Sequence, residues 1–264
     1  MNTAIVTGAA SGSGRAIAEK FTSNGWHVLG IDMNERGIKM AADEMDNLTP
    51  HVLDLADLDE VEGLTRIDGF LDADLLVNCA GKLDPGYAGG YGARRYRRTL
   101  DSMLVAPVIM TDLVLPGMYE RWEREQRPAG IVHIGSFYSL IGGAIKGGYT
   151  AAKWGMLGHI KTVGLEAARR TGFGVRAVLI APPHVASPLL FKQNQDEADL
   201  LGKPVEVRTD QLIGQVPTGI LGTPERVAGV IWRWTTDPDM ADITATSIDM
   251  SGGITAGFPD EAGW

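Results

Sequence analysis

The stretch that most limits what this chain can become lies at its start. Ala4-Ile5-Val6 reads as a short buried strand, and Thr7-Gly8-Ala9-Ala10-Ser11-Gly12-Ser13-Gly14 follows at once. Arg15-Ala16-Ile17-Ala18-Glu19-Lys20-Phe21 then carries helical apolar spacing. Strand, glycine-rich turn and helix in that order give the glycines a meaning. They permit a tight turn, let backbone N–H groups approach a pyrophosphate, and aim a helix N-terminus at its charge. Gly8, Ser11, Gly12, Ser13 and Gly14 are the residues expected to face that group. The plain alternative is an ordinary glycine-rich loop.

The next strand, Trp26-His27-Val28-Leu29-Gly30-Ile31, ends at Asp32. A carboxylate roughly 20 residues past the glycines is placed to accept from adenosine-ribose hydroxyls, and it would repel a 2′-phosphate. Met33, Asn34 and Ser11 supply no compensating cation. The expected cofactor is therefore NAD rather than NADP, with Arg15 and Arg36 as the residues that could reverse the preference. His51-Val52-Leu53-Asp54-Leu55 reads as a third strand, whose Asp54, with Leu55 beside it, could meet the adenine amino group. Leu75-Leu76-Val77 reads as a fourth and runs into Asn78-Cys79-Ala80-Gly81. The small Ala80 and Gly81 would let the backbone pass close to a cofactor, and Asn78 could brace the central strands. Asn-x-x-Gly is equally a turn signal.

A second chemical stretch lies further on. Ile131-Val132-His133-Ile134 reads as a strand, Ser136 follows, and a helix begins near Tyr149. Tyr149 and Lys153 lie four apart, so a helix puts them on one face, one turn apart. A phenol titrates near pH 10, and a nearby ammonium favours the phenolate. The pair is a way to make a proton acceptor for neutral pH. Ser136 could hold a substrate oxygen by hydrogen bonding. Taken alone, this tyrosine–lysine spacing also arises by chance.

Between these stretches a long helix is expected from near Arg94 towards Met118, with Pro107 suggesting a kink or a broken hydrogen bond. Arg94, Arg95, Arg97 and Arg98 oppose the dipole of its first turns, so they either salt-bridge acidic neighbours or form a solvated face, the usual case, with an anionic-substrate site as a third reading. The Tyr149 helix carries apolar residues on more than one face, as helices at subunit interfaces do. Val175 to Ile180 reads as a sixth strand, ending before Pro182, Pro183 and His184. From there to about Gly222 the sequence reads as irregular and polar, which suggests a lid or substrate-binding segment at 184–222. Residues 142–147 and 184–215 should shape the pocket, with His184 as a candidate substrate contact. Pro224 opens another helix, and Thr246-Ser247-Ile248-Asp249 reads as the last strand.

Strands alternating with helices imply an α/β chain with a doubly wound parallel sheet of about seven strands, here one unit over 1–264. A net charge of −9 argues against nucleic acid or an anionic membrane as main partner. The single cysteine, Cys79, excludes an internal disulfide, and its apolar setting suggests packing rather than reactivity. No histidine is spaced with acidic residues as a metal site requires, so no metal is expected. No leader or membrane-spanning stretch is read from the sequence, and a cytoplasmic protein is expected.

Together these residues resemble the short-chain dehydrogenase/reductase family, over nearly the whole chain. The resemblance rests on Thr7-Gly8 with Gly12 and Gly14, Asp54, Asn78-Cys79-Ala80-Gly81, Ser136 with Tyr149 and Lys153, Pro182, and Asp249-Met250-Ser251-Gly252-Gly253. It implies a three-layer Rossmann fold, a nicotinamide cofactor, and a homo-oligomer, tetramer or dimer. It makes Tyr149 the catalytic acid/base and Ser136 the residue that positions substrate. Lys153 becomes the ribose ligand that also lowers the Tyr149 pKa. Val185 and Ser187 match positions that contact the nicotinamide carboxamide, and Pro182 joins the cofactor set. Two departures stand out. Met103 occupies the place where the family carries an asparagine that holds a proton-relay water, and Pro183 replaces the glycine that follows Pro182. The activity implied is NAD-dependent interconversion of a secondary alcohol and a ketone. An epimerase with transient oxidation and a non-catalytic NAD(H)-binding regulator are the alternatives.

Overall fold

In a computed structural model of the protein, residues 1–257 are described; residues 258–264, the tail of the expected single unit, lie outside the described residues. Seven strands form one sheet: β1 (Thr3–Thr7), β2 (His27–Asp32), β3 (Leu48–Val52), β4 (Leu75–Asn78), β5 (Ala129–Ile134), β6 (Val175–Ala181) and β7 (Thr246–Asp249). Their order is β3-β2-β1-β4-β5-β6-β7, and every pair is parallel. This is the doubly wound sheet that the sequence leads one to expect. The order reverses between β1 and β4, so a crevice opens beyond their carboxyl ends.

Helices cover both faces because the strands are apolar on both. Ile5, Leu29, Leu76, Ile131 and Leu179 point to one face. There they meet α5 (Ala106–Glu125) and α6 (Gly147–Thr171) through Met110, Val114, Met156 and Ile160. Val6, Val28, Val77, Val132 and Val178 point to the other. They meet α1 (Gly12–Thr22), α2 (Glu35–Glu44) and α9 (Pro224–Thr236) through Ile17, Phe21, Ile38, Ile231 and Trp234. The short α3 (Leu58–Glu62) lies before β4.

Several expectations need correction. The third strand ends at Val52, so Leu53, Asp54 and Leu55 follow it rather than belong to it. It begins at Leu48 and includes Pro50, a residue that reads against a strand but is tolerated on this edge of the sheet. The long helix is interrupted. After α4 (Ala93–Leu100), residues Asp101–Val105 form a π-helical turn before α5. Pro107, at the start of α5, has no N–H to continue the ladder. Its break therefore takes the form of a wider turn just upstream.

The segment from His184 to Gly222 is not irregular. It carries α7 (Pro188–Leu201) and α8 (Val205–Gly214). Ser187 caps α7 by accepting from the Leu190 N–H at 3.2 Å, with Pro188 in the first turn. Polar side chains on both helices hid the pattern. Finally, Ala93–Glu125 is long and apolar enough to cross a membrane, contrary to the sequence reading. Half of its most apolar window is buried inside the molecule, and it is the core helix beneath β4 and β5.

Candidate active site

The glycine turn works by close approach. Gly8 and Gly12 have φ of 73° and 55°, which a side chain would resist. A Cβ on Gly14 would lie 2.2 Å from the Gly8 carbonyl oxygen, so α1 can start against β1 only with glycine there. Thr7, just before the turn, accepts from the N–H groups of Cys79 at 2.9 Å and Ala80 at 3.0 Å. One hydroxyl thus ties the ends of β1 and β4 together at the switch point.

A crevice of about 460 Å³ opens there, within the range of small-molecule sites. Gly8, Ser11, Gly12, Ser13 and Gly14 line it, as do Asp32, Asp54, Leu55, Ala80, Gly81, Pro182, Val185 and Ser187. Ser136, Tyr149, Lys153 and His184 line the same space. Asn78 lies just beneath. It is buried, and its Nδ2 sits 3.2 Å from Nδ1 of His133, bridging β4 and β5. His133 in turn lies 3.0 Å from His159 on α6, fully inside the molecule.

Asp32 accepts from the N–H of Ala10 at 3.0 Å and of Asn34 at 2.8 Å. It braces the glycine turn while still facing the crevice. Asp54 accepts from the Ala56 N–H and pairs with Arg98 at 2.7 Å. The Arg98 and Ala56 contacts hold its carboxyl below the usual range, against burial, which is the largest influence and pushes the other way. Arg95 pairs with Asp84. Two of the four arginines at the start of the long helix are therefore ion-paired, not simply solvated.

Ser136 caps a single 3₁₀ turn, accepting from the Tyr138 N–H at 3.2 Å, while Ser139 accepts back from the Ser136 N–H at 3.1 Å. The turn fixes Ser136 at the end of β5. Lys153 is 3% exposed, and its ammonium donates to the Ile134 carbonyl at 2.6 Å and lies 5.6 Å from the centre of the Tyr149 ring. Burial pulls Lys153 down to about 8. Tyr149 runs the other way from expectation. Burial pushes the phenol up to about 12, and only the Ser136 hydroxyl pulls it back. Lys153 is not among the influences on Tyr149 in this state, since an amine brought down to about 8 gives up its proton before a phenol at about 12 titrates.

A nicotinamide dinucleotide fits these residues. The glycine cradle admits no Cβ at Gly14, and Lys153 buries three donors with one strong acceptor, Ile134, and the weak Met156 sulfur at 3.5 Å. Hydroxyl acceptors are what such an ammonium requires.

A family model described as short chain dehydrogenase matches residues 2–198. The chain belongs to that family. Relatives of this short-chain dehydrogenase include a D-beta-hydroxybutyrate dehydrogenase of Rhizobium meliloti, 31% identical over 96% of this chain and 98% of the other. A 3-oxoacyl-(acyl-carrier-protein) reductase of Vibrio cholerae is 28% identical over 95% and 96%. Among solved structures, the actinorhodin polyketide ketoreductase with NADPH superimposes with a TM-score of 0.87 at 25% identity, over 97% of this chain and 98% of that one. A gluconate 5-dehydrogenase from Beutenbergia cavernae, described as NAD(P) dependent, gives 0.82 at 27%, over 97% of each chain.

The short-chain dehydrogenase crevice also holds residues the sequence did not single out. Lys146 is 2% exposed and Glu197 is 3% exposed, and both line it. They are bonded to each other, and Arg208 joins Glu197 at 2.5 Å. The partners lie 51 and 11 residues apart, so no local pattern announces them. Met103 is buried, with its terminal methyl 3.1 Å from where a Gly81 Cβ would sit. Cys79 is held at the crevice floor, where burial pushes its thiol up to about 12, consistent with an unreactive packing role.

Proposed function

We propose that this protein is an NAD-dependent oxidoreductase that interconverts a secondary alcohol and a ketone. One observation carries the reading: Ser136, Tyr149 and Lys153 open into the same crevice as the glycine turn. A bound nicotinamide would take up or return the hydride. Gly8, Ser11, Gly12, Ser13 and Gly14 would receive the phosphates, Asp32 the adenosine ribose, and Asp54 and Leu55 the adenine. Ala80, Gly81, Pro182, Val185 and Ser187 would line the nicotinamide end, with Asn78 bracing the strands beneath it.

The chemistry of the chain itself is proton handling. Ser136 holds the substrate oxygen by donating its hydroxyl hydrogen. Tyr149 accepts the alcohol proton in oxidation and gives it back in reduction. Lys153 aids this only while it is a cation, and ribose hydroxyls accepting from its ammonium would keep it one. The phenol, pushed up to about 12 in the ligand-free state, would be brought into working range by that restored charge.

Preference for NAD over NADP is supported at Asp32. Arg15 is engaged by Glu19 at 3.0 Å and by Glu44, and neither Arg15 nor Arg36 lines the crevice. A cytoplasmic homo-oligomer acting on a small molecule completes the proposal.

Tyr149→Phe should leave NADH binding nearly intact and lower turnover by at least about 10²-fold, read at 340 nm with a panel of alcohols and ketones. A fully active variant would refute the assignment. The second reading, a non-catalytic NAD(H)-binding regulator, draws on Met103. It predicts NADH binding with a flat panel.

A further inference from the structure

Buried charge at the substrate end of the crevice does not balance. Lys146 and Arg208 both hold Glu197, and all three are at most 7% exposed. Arg208 gives Nε and one Nη to the same carboxylate oxygen, at 3.0 and 2.5 Å, and Lys146 takes the other oxygen. Two cations thus share one carboxylate. The charged side chains that act on Lys146, and on His184 beside it, are these same three. No further carboxylate among the described residues restores neutrality.

Two members of the cluster, Lys146 and Glu197, stand in the crevice wall, and Arg208 stands behind Glu197. Lys146, Glu197, Tyr138, His184 and Asn194 line the crevice together with Tyr149 and Ser136. Lys146 lies 5.5 Å from the centre of the Tyr138 ring, which stands edge-on to Tyr149 at 6.3 Å. The Asn194 side-chain oxygen is buried with no partner. An uncompensated cation away from water is costly unless a counter-charge reaches it. A mobile monoanion entering from the crevice would supply one.

We propose that the substrate carries a carboxylate, and that Lys146 anchors it at the crevice wall, with Arg208 behind Glu197 supplying the charge that leaves Lys146 free to do so. This rests on the dehydrogenase reading and narrows it to hydroxy or oxo acids. Lys146 comes just before the turn that delivers Tyr149, while Glu197 and Arg208 come from α7 and α8. Anchoring the acid group would therefore fix the carbinol carbon relative to Tyr149 from two separate elements. The single surplus charge suits a monocarboxylate better than a doubly charged phosphate.

The variants have opposite signs. Lys146→Met or Arg208→Met leaves a neutral pair, with no stranded charge. Glu197→Gln leaves two free cations. NADH-loaded protein should bind butyrate at least about tenfold tighter than butyramide by calorimetry, the cost of losing a charge-assisted contact. Either cation variant should bring the two within about twofold, and Glu197→Gln should tighten butyrate. A merely structural cluster would weaken binding in all three variants alike.

Equal affinity for butyrate and butyramide in the unaltered protein overturns the proposal, as does binding of inorganic phosphate without butyrate. Turnover of matched short hydroxy acids and their primary amides separates the two levels of inference. Butyrate preference without any turnover keeps the anchoring site and rejects the dehydrogenase reading. Equal turnover of acid and amide keeps the dehydrogenase and rejects the site.

Discussion

Thr7 is the residue on which the crevice floor hangs. Its hydroxyl accepts from two N–H groups at the end of β4, and the residue is 1% exposed. Thr7→Val keeps the shape and removes the acceptor, leaving buried donors unpaired. Stability should fall by about 2 kcal/mol, measured by urea denaturation. Lys153 makes a prediction through pH. Its folded value is depressed to about 8 from 10.5. Between those values the unfolded chain holds a proton that the folded chain has released. The Lys153 contribution to stability therefore rises with pH through that window, while Cys79 from about 9 and Tyr149 from about 10, both shifted upward, oppose it equally in the unaltered protein and the variant. Lys153→Met should remove the rise between about pH 8 and 9.5, a change of about 2 kcal/mol. Equal pH slopes for both proteins in thermal melts would contradict the shift. The spacing of Tyr149 and Lys153 was legible because four residues is one helical turn. The direction of the tyrosine shift was not, because burial beside Ser136 and Cys79 comes from tertiary packing.

Elements set the distances between those residues. α6 runs so close to the chain entering β7 that a Cβ on Gly164 would lie 2.6 Å from the Ala245 Cα. Backbone cannot yield as a side-chain tip does. Gly164→Ala should cost about 1–3 kcal/mol despite alanine's better helix propensity, read as a lower midpoint in guanidinium. A neutral result would mean that α6 can slide. At this scale β1, β2 and β4 to β7 were largely legible, because runs such as Val175 to Ala181 are apolar but for Arg176 and buried throughout. β3 was harder, since Pro50 sits inside it. α7 and α8 were missed because Glu197 and Arg208 look solvated in sequence, while in the fold they pair with each other and Glu197 pairs with Lys146.

At the scale of the molecule, the switch between β1 and β4 gathers residues from the whole chain into one crevice. Glycine turn, Asp32 and Tyr149–Lys153 could be assigned to it from order alone. The charge cluster could not, because its logic is a sum over distant residues. Trp154 and Leu165 on α6 remain 48% and 57% exposed, and Phe173 beyond it 53%. Apolar side chains so exposed fit a second copy of this chain. Light scattering should give a mass above that of one chain, and Leu165→Asp should lower it; a monomer in both cases would reject the oligomer.

The excursion through α7 and α8 has one more property. It sets out after His184, beyond the end of β6, and comes back at Gly222 ahead of α9, where two backbone bonds of 2.9 Å clip its two ends together, Gly222 to His184 and Ala186 to Gly222. A detour whose ends already touch can change length or composition at little cost to the rest of the molecule. Selectivity can drift beyond Ser187 while the dinucleotide cradle stays as it is, and a graft of residues 188–221 from a relative, with position 146 changed to match, should transplant taste without rebuilding the engine.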